Sequence, residues 1–326
     1  VHEREPLRRR APVGAMSARL AFFGSPAFAV PSLRALASAG YELVLVVTQP
    51  DRPAGRGGRL TPPPVKVAAE ELGLRVIQPT SVRGAAFREE LAALGLDAAV
   101  VAAYGKILPQ GVLDTARRGF VNVHASLLPR WRGASPVAAA ILAGDTITGV
   151  SIMEMVLEMD AGPVISRAEE PILPTDTTGS LEARLAELGA RELVRVLPDW
   201  LAGRVTAQPQ DPSQVTTCGL IRKEDGHLRA TMTAAEAERA TRAYDPWPGA
   251  YIIYRGQPLK CWRGRVAAGP EAAPGAMAVV DGEPAVRFAD GWLVLTEVQR
   301  PGGKRMSGRA FVAGERGRLA PEAVLA

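Results

Sequence analysis

The chain has 326 residues, 47% hydrophobic and 22% charged, with a formal net charge of +5. That length suits two domains with a sizeable core, and so small a basic surplus permits an anionic partner without requiring one. Its two cysteines, Cys218 and Cys261, stand far apart with no CxxC or Cys/His cluster. No disulfide framework or metal site is therefore expected, and reduced thiols in the cytoplasm are. Apolar runs fall short of membrane-spanning length. The start, "VHEREPLRRRAPVGAM", is basic but lacks a signal peptide's apolar stretch, so residues 1–15 are expected to form a disordered extension ahead of Met16.

From Arg19 onward, strand and helix patterns alternate. "LAFFG" reads as a short strand, and "PSLRALASAG" as a helix with Pro31 in its first turn and Gly40 as its stop. "ELVLVVT" is a strand buried on both faces. "VKVAAEELG" is helical, "RVIQP" a short strand, "AAFREELAALG" helical, and "LDAAVVAAYG" and "GFVNVHAS" are buried strands. "SPVAAAILAG" has Ser135 as cap and Gly144 as stop. "TGVSIMEM" and "GPVISRAEEPI" are strands, and residues 178–201 a long helix. This order predicts an α/β fold, a Rossmann-like, mainly parallel sheet over residues 16–204. The polar, proline-bearing stretch "GRVTAQPQDPSQVTT" reads as a linker over 205–222. Beyond it, one helix at 233–243 and short strands between Gly and Asp-Gly turns predict a smaller β-barrel domain over 223–326.

The segment "NVHASLLPRWRG" puts Asn122 and His124 two residues apart on one strand, so both side chains share a face at its C-terminal end. Ligands of open α/β sheets bind outside that end. An amide beside an imidazole suits an oxygen that gains charge during reaction; taken alone, the pattern more often marks a histidine that satisfies a backbone carbonyl. Asp160, in "EMDAGPV", could orient the imidazole and manage a proton, or simply cap a turn. The stretch Thr48–Lys66 reads as a long loop carrying Arg52, Arg56, Arg59 and Lys66, fit for phosphates or for a solvated surface. Lys304 and Arg305 lie in a second basic cluster, "QRPGGKRMSGR". The absence of GxGxxG, GxxxxGK and a serine elbow argues against nicotinamide, phosphate-loop and serine-hydrolase chemistry.

In order, "TQPDRPAGRG", "VVAAYGKILP", "NVHASLLPRWRGASP", "TGVSIMEM" and "YDPWPGAY" resemble the methionyl-tRNA formyltransferases, a folate-dependent family, from Met16 to near the C-terminus. The resemblance implies transfer of a formyl group from 10-formyltetrahydrofolate to the methionine amino group of charged initiator tRNA; a monomer is expected. It implies catalytic roles for Asn122, His124 and Asp160. Folate contacts fall to Ser126, Leu127, Leu128 and Pro129, with the pterin against the strand end that holds Val100, Ala102 and Tyr104. It makes Arg56 a tRNA-reading arginine and residues from about 217 an OB-like tRNA support; from their charge and clustering, Arg52, Arg59, Lys66, Lys304 and Arg305 are expected as further tRNA contacts. Two departures stand out: Ala125 replaces a common glycine, and Val156 and Glu158 replace Asp and Gly in the loop Val156–Gly162. The nearest rivals are a formyltransferase for an amino sugar or nucleotide and a non-enzymatic RNA-binding protein.

Overall fold

The computed structural model describes residues 18–54, 58–316 and 319–325; the extension over 1–15 and Arg56 lie outside the described residues. The chain divides into two compact units. The first comprises residues up to Arg132, Gly149–Glu170 and Ala183–Thr216; the second comprises Gly133–Thr148, Pro171–Glu182 and Thr217 onward.

The first unit is built on a seven-stranded sheet. Its strands are β1 (Arg19–Gly24), β2 (Glu42–Val47), β5 (Val76–Ile77), β6 (Ala98–Ala102), β7 (Phe120–His124), β9 (Ile147–Glu154) and β10 (Val164–Pro171), in the order β10-β9-β7-β6-β1-β2-β5. Pairs from β5 to β7 are parallel, and β7 pairs antiparallel with β9. The fold is therefore the mainly parallel α/β sheet expected. The central strands β1 and β6 carry continuous apolar runs because both faces are covered. On one face, Phe23 meets Phe87, Tyr104 and Phe120 in a ring cluster with centroids 5.4–6.5 Å apart. Phe87 belongs to helix α3 (Ala85–Ala93). On the other face, Gly189 of α6 (Thr178–Leu201) lies against Val123 and Val150. Helices α1 (Val30–Ser38) and α2 (Pro64–Glu71) both carry proline in the first turn, where a missing N–H leaves no intrahelical bond unmade.

Three local expectations are revised. The Thr48–Lys66 stretch is not structureless: β3 (Arg52–Ala54) pairs with β4 (Arg59–Thr61), and Lys66 already belongs to α2. Residues 205–222 are not simply a linker, because Gln208 exchanges two backbone bonds with Val164 at 2.8 Å and Thr216 bonds the carbonyl of Pro129. A polar, proline-broken sequence lacks any period, yet its backbone can still extend a sheet edge. Ser135 makes no side-chain cap on α5 (Pro136–Ala143); its backbone (φ −136°, ψ 53°) departs from the extended form that directs a capping oxygen.

In the second unit, an antiparallel sheet runs β12 (Tyr251–Tyr254), β13 (Gln257–Ala267), β16 (Trp292–Gln299), β15 (Glu283–Arg287), β14 (Met277–Val280), with β17 (Met306–Ser307) on β16. Its edges are covered from the C-terminal segment: Val324 bridges Ile253, and Glu322 bridges Ala276. This is a curled half-barrel, and covering the edge strands removes unpaired backbone groups that would invite aggregation. Helix α7 (Ala234–Ala243) begins at a reciprocal Thr233–Glu236 capping box, whose N–H and hydroxyl bonds hold the Glu236 carboxyl below its ordinary range. Its alanine face and α8 (Gly308–Gly314) close a core around Phe288, Leu295 and Phe311.

Cys261 lies in that core with no exposed surface, and burial pushes its thiol up to about 12. Cys218 is only half-buried. A thiol-reactive chromophore near neutral pH is therefore expected to titrate Cys218 alone in the folded protein and both thiols after denaturation. Rapid modification of Cys261 in the native state would contradict this core.

Candidate active site

Asn122 and His124 continue the side-chain parity of Phe120 along β7 and emerge at the strand's C-terminal end. Asn122 is half-buried, and among the described residues its side-chain amide has no protein hydrogen-bond partner. His124 is buried at 6% exposure. Its Nε2 lies 3.0 Å from the Trp131 carbonyl. A carbonyl oxygen only accepts, so Nε2 carries a proton and donates it there. The other ring nitrogen, Nδ1, faces Asp160 Oδ2 at 3.7 Å. That is ion-pair range but longer than a hydrogen bond. Of the two alternatives open in the sequence, the structure shows His124 satisfying a backbone carbonyl, and the ring also faces an acid.

Asp160 adopts φ +51°. That left-handed conformation costs an L-residue roughly 1–2 kcal/mol, with Asp among the more tolerant types. The turn is anchored by Gly162, where an added Cβ would sit 1.8 Å from the Glu154 carbonyl. Trp131 also lies in the left-handed region, at φ 61°, and its N–H donates to Thr216 Oγ1 at 2.8 Å.

The Ser126–Pro129 turn is held mainly by its backbone. Ser151 on β9 donates its hydroxyl to the Ser126 carbonyl (2.7 Å) and accepts from the Leu128 N–H (3.0 Å), while Arg167 Nε donates to the Leu128 carbonyl at 2.7 Å. Ser126 and Leu128 are enclosed, so Leu127 and Pro129 are the half-exposed members of the four. On β6, Val100 and Ala102 are fully buried. Val100 pairs with Phe22 on one side and Val121 on the other, which leaves it beneath the site. Only the turn that follows, Ala103–Gly105, reaches a surface.

That turn borders a cleft of about 400 Å³ with Ser25, Gln49, Arg52 and Thr61. It opens where β1 lies between β2 and β6, the point at which the chain's crossovers reverse direction and where such sheets bind ligands. Gln49 braces the cleft: its N–H donates to Ser25 Oγ at 3.1 Å and its Nε2 donates to the Tyr104 carbonyl at 3.0 Å.

Among the expected tRNA contacts, Arg52 and Arg59 are exposed on the β3–β4 hairpin. Lys66 differs: its ammonium holds both Asp51 oxygens at 3.0 Å. Bonds from Gln78 and then Lys66 keep the Asp51 carboxyl below its ordinary range. In the second unit, Lys304 is exposed. Arg305 lies 3.7 Å above the Trp262 ring and pairs with Asp245 at 2.9 Å. Residue patterns had not singled out Ser151, Thr216 or Gln210. Serine, threonine and glutamine carry no distinctive spacing, and only the fold brings them to the turns they hold.

Two family models match the chain: formyl transferase over residues 18–197 and the formyl transferase C-terminal domain over 220–316. A methionyl-tRNA formyltransferase from Chloroflexus aggregans is 48% identical over 299 residues, 91% of this chain and 97% of that protein. One from Dechloromonas aromatica is 45% identical over 298 residues, 91% of this chain and 95% of that protein. In fold, the chain is similar to an N-formyltransferase from Helicobacter canadensis solved with folinic acid and dTDP-3-aminofucose (TM-score 0.66, 15% identity, 87% of this chain and 99% of that one). It is also similar to HypX from Aquifex aeolicus in complex with tetrahydrofolic acid (TM-score 0.61, 17% identity, 91% of this chain and 47% of that one). Similarity to the first two relatives over 91% of the chain, with the two family models matching 18–197 and 220–316, shows that this chain belongs to the methionyl-tRNA formyltransferase family.

Proposed function

We propose that the chain transfers the formyl group of 10-formyltetrahydrofolate to the amino group of methionine on charged initiator tRNA. The observation that carries this reading is the unengaged Asn122 amide beside the buried His124 and its half-buried partner Asp160 at the C-terminal end of β7. The folate supplies a formyl carbon whose oxygen gains charge as the amine attacks. Asn122 Nδ2 is free to donate to that oxygen, a contribution on the order of 3 kcal/mol for one well-placed donor. The bond to Trp131 fixes the orientation of His124. Asp160 accepts the amine proton, directly or through the imidazole or a water, and that proton passes to the folate nitrogen as its bond to the formyl carbon breaks. An α-amino group has a reference pKa of about 7.7–8.0, so it is a competent nucleophile without a covalent enzyme intermediate.

The rigid Ser126–Pro129 turn fits the folate: Leu127 and Pro129 offer an apolar rim and the backbone offers amide-like groups. The switch-point cleft, walled by prolines and polar at Ser25 and Gln49, suits the acceptor end. Arg52 and Arg59 suit tRNA phosphates, and Arg56 joins them on the strength of the resemblance. Lys66 acts chiefly as a strut that holds Asp51 at the base of the hairpin, and Arg305 as one that holds Asp245. Lys304 is the more available cation of the second cluster. Among the described residues, no helix is long and apolar enough to cross a membrane, and the reaction is proposed for the cytoplasm.

The deciding experiment is formylation of charged initiator tRNA with 10-formyltetrahydrofolate, beside amino sugars and small amines as competing acceptors. Turnover restricted to the small amines would overturn the proposal. Asn122→Ala is expected to lower the single-turnover rate on the order of a hundredfold with tRNA binding retained. Asp160→Asn should fold normally and be nearly inactive; retention of most activity would reduce Asp160 to a turn-shaping residue.

The charge assignments have a separate signature. Replacing Arg52 and Arg59 by alanine is expected to raise KM for tRNA and leave folate affinity unchanged. Each lost phosphate contact should lower the log–log salt slope by about 0.9 in a duplex region. An unchanged salt slope with impaired folate affinity would move the hairpin to the donor side of the site.

A further inference from the structure

Gln210 lies in the stretch that reads as a linker, yet it is 8% exposed. Its Nε2 donates to the Asp160 carbonyl and to the Gly162 carbonyl, both at 2.7 Å, and its Oε1 accepts from Arg132 Nε at 3.0 Å. Every strong hydrogen-bonding group of the primary amide is thereby used except one acceptor lone pair. The network also fixes the amide's orientation, since turning it over would set Oε1 against two carbonyls and its N–H groups against a guanidinium. The carbonyls it grips flank Ala161 and belong to the turn in which Asp160 holds φ +51°. Gln210 is positioned in turn by the two backbone bonds between Gln208 and Val164.

We propose that Gln210 is a positioning residue for the reaction: it clamps the Asp160 turn so that the carboxylate faces His124 Nδ1, and Arg132 holds the clamp from behind. This rests on the catalytic reading of Asp160 given above. The loop needs such a restraint. Val156, Leu157 and Met159 are exposed, so apolar packing does little to order it. It is held by the Ala161 N–H on the Glu158 carbonyl at 3.3 Å, by Arg132 on the Glu158 carboxylate at 3.5 Å and, at its end, by the close approach of Gly162 to the Glu154 carbonyl. One amide side chain reaching both carbonyls removes the freedom that remains, and a displacement of about 1 Å in a reacting group can cost on the order of a hundredfold in rate.

The test uses the full chain with Gln210→Met, which keeps length and volume but removes the donors, and Gln210→Asn, which keeps the amide but is one methylene short. Both are expected to lower kcat about tenfold to a hundredfold, with KM for tRNA and for folate within about twofold. Backbone amides of residues 156–162 should exchange with deuterium at least about tenfold faster, while β7 and β9 stay protected. In a double-mutant cycle, Gln210→Met added to Asp160→Asn should cause little further loss. Wild-type kcat and unchanged loop exchange in Gln210→Asn would overturn the clamp, as would equal losses of Gln210→Met in both backgrounds. If Asp160→Asn alone stays active, the catalytic reading falls, while loop exchange still reports on the clamp. If Gln210→Met fails to fold, Gln210→Asn and its exchange profile decide.

Discussion

An imidazole has two nitrogens, and the hydrogen bond from His124 Nε2 to the Trp131 carbonyl commits one of them. The remaining nitrogen then faces Asp160. Given that bond, the ring cannot rotate to serve as a free donor, and in the proposed reaction Asn122 is the group that meets the developing negative charge. The bond in turn depends on Trp131 holding a left-handed backbone, which depends on Thr216 accepting its N–H. The geometry at the end of β7 therefore rests on a threonine 92 positions further along the chain than His124.

On the proposed function, residues 208–216 form part of the frame of the reaction centre. Gln208 extends the sheet beyond β10, Gln210 grips the Asp160 turn and Thr216 grips the Trp131 turn. Two non-glycine residues in left-handed backbone conformations are held by side chains from one short segment. Such strain persists only where surrounding contacts over-determine the backbone, and it tends to gather at functional sites.

Charge is arranged with a similar division of labour. Lys66 and Arg305 looked like ligand-binding cations in the sequence, and each is joined to an acid of its own unit. Arg305 also stacks on Trp262, an arrangement a lysine would not reproduce. Arg52, Arg59 and Lys304 project from short turns and hairpins and keep more of their surface in water. A count of basic residues cannot distinguish these roles, because the identity of the nearest acid is a property of the fold.

Much was legible in the residues alone. Continuous apolar runs marked the buried parallel strands, glycine and proline marked the helix ends, and the Asn-X-His spacing placed two functional groups on one face. These are local properties: strand periodicity is two, and terminal caps act within a turn. The family's motifs added Asp160 and Ser126–Pro129. What the sequence could not express was long-range partnership. Nothing in "QPQDPSQVTT" announces a sheet edge or an amide clamp, because hydrogen bonds between segments 50 or 85 residues apart leave no periodic trace. Val100 shows the same limit from the other side: its place on a promising strand is local information, but its burial beneath the site follows from the neighbours that pair with it. The local sequence determined which chemical groups are available and on which elements they stand. Tertiary structure decided which of them meet, since that depends on the closure of distant backbone segments onto one sheet edge.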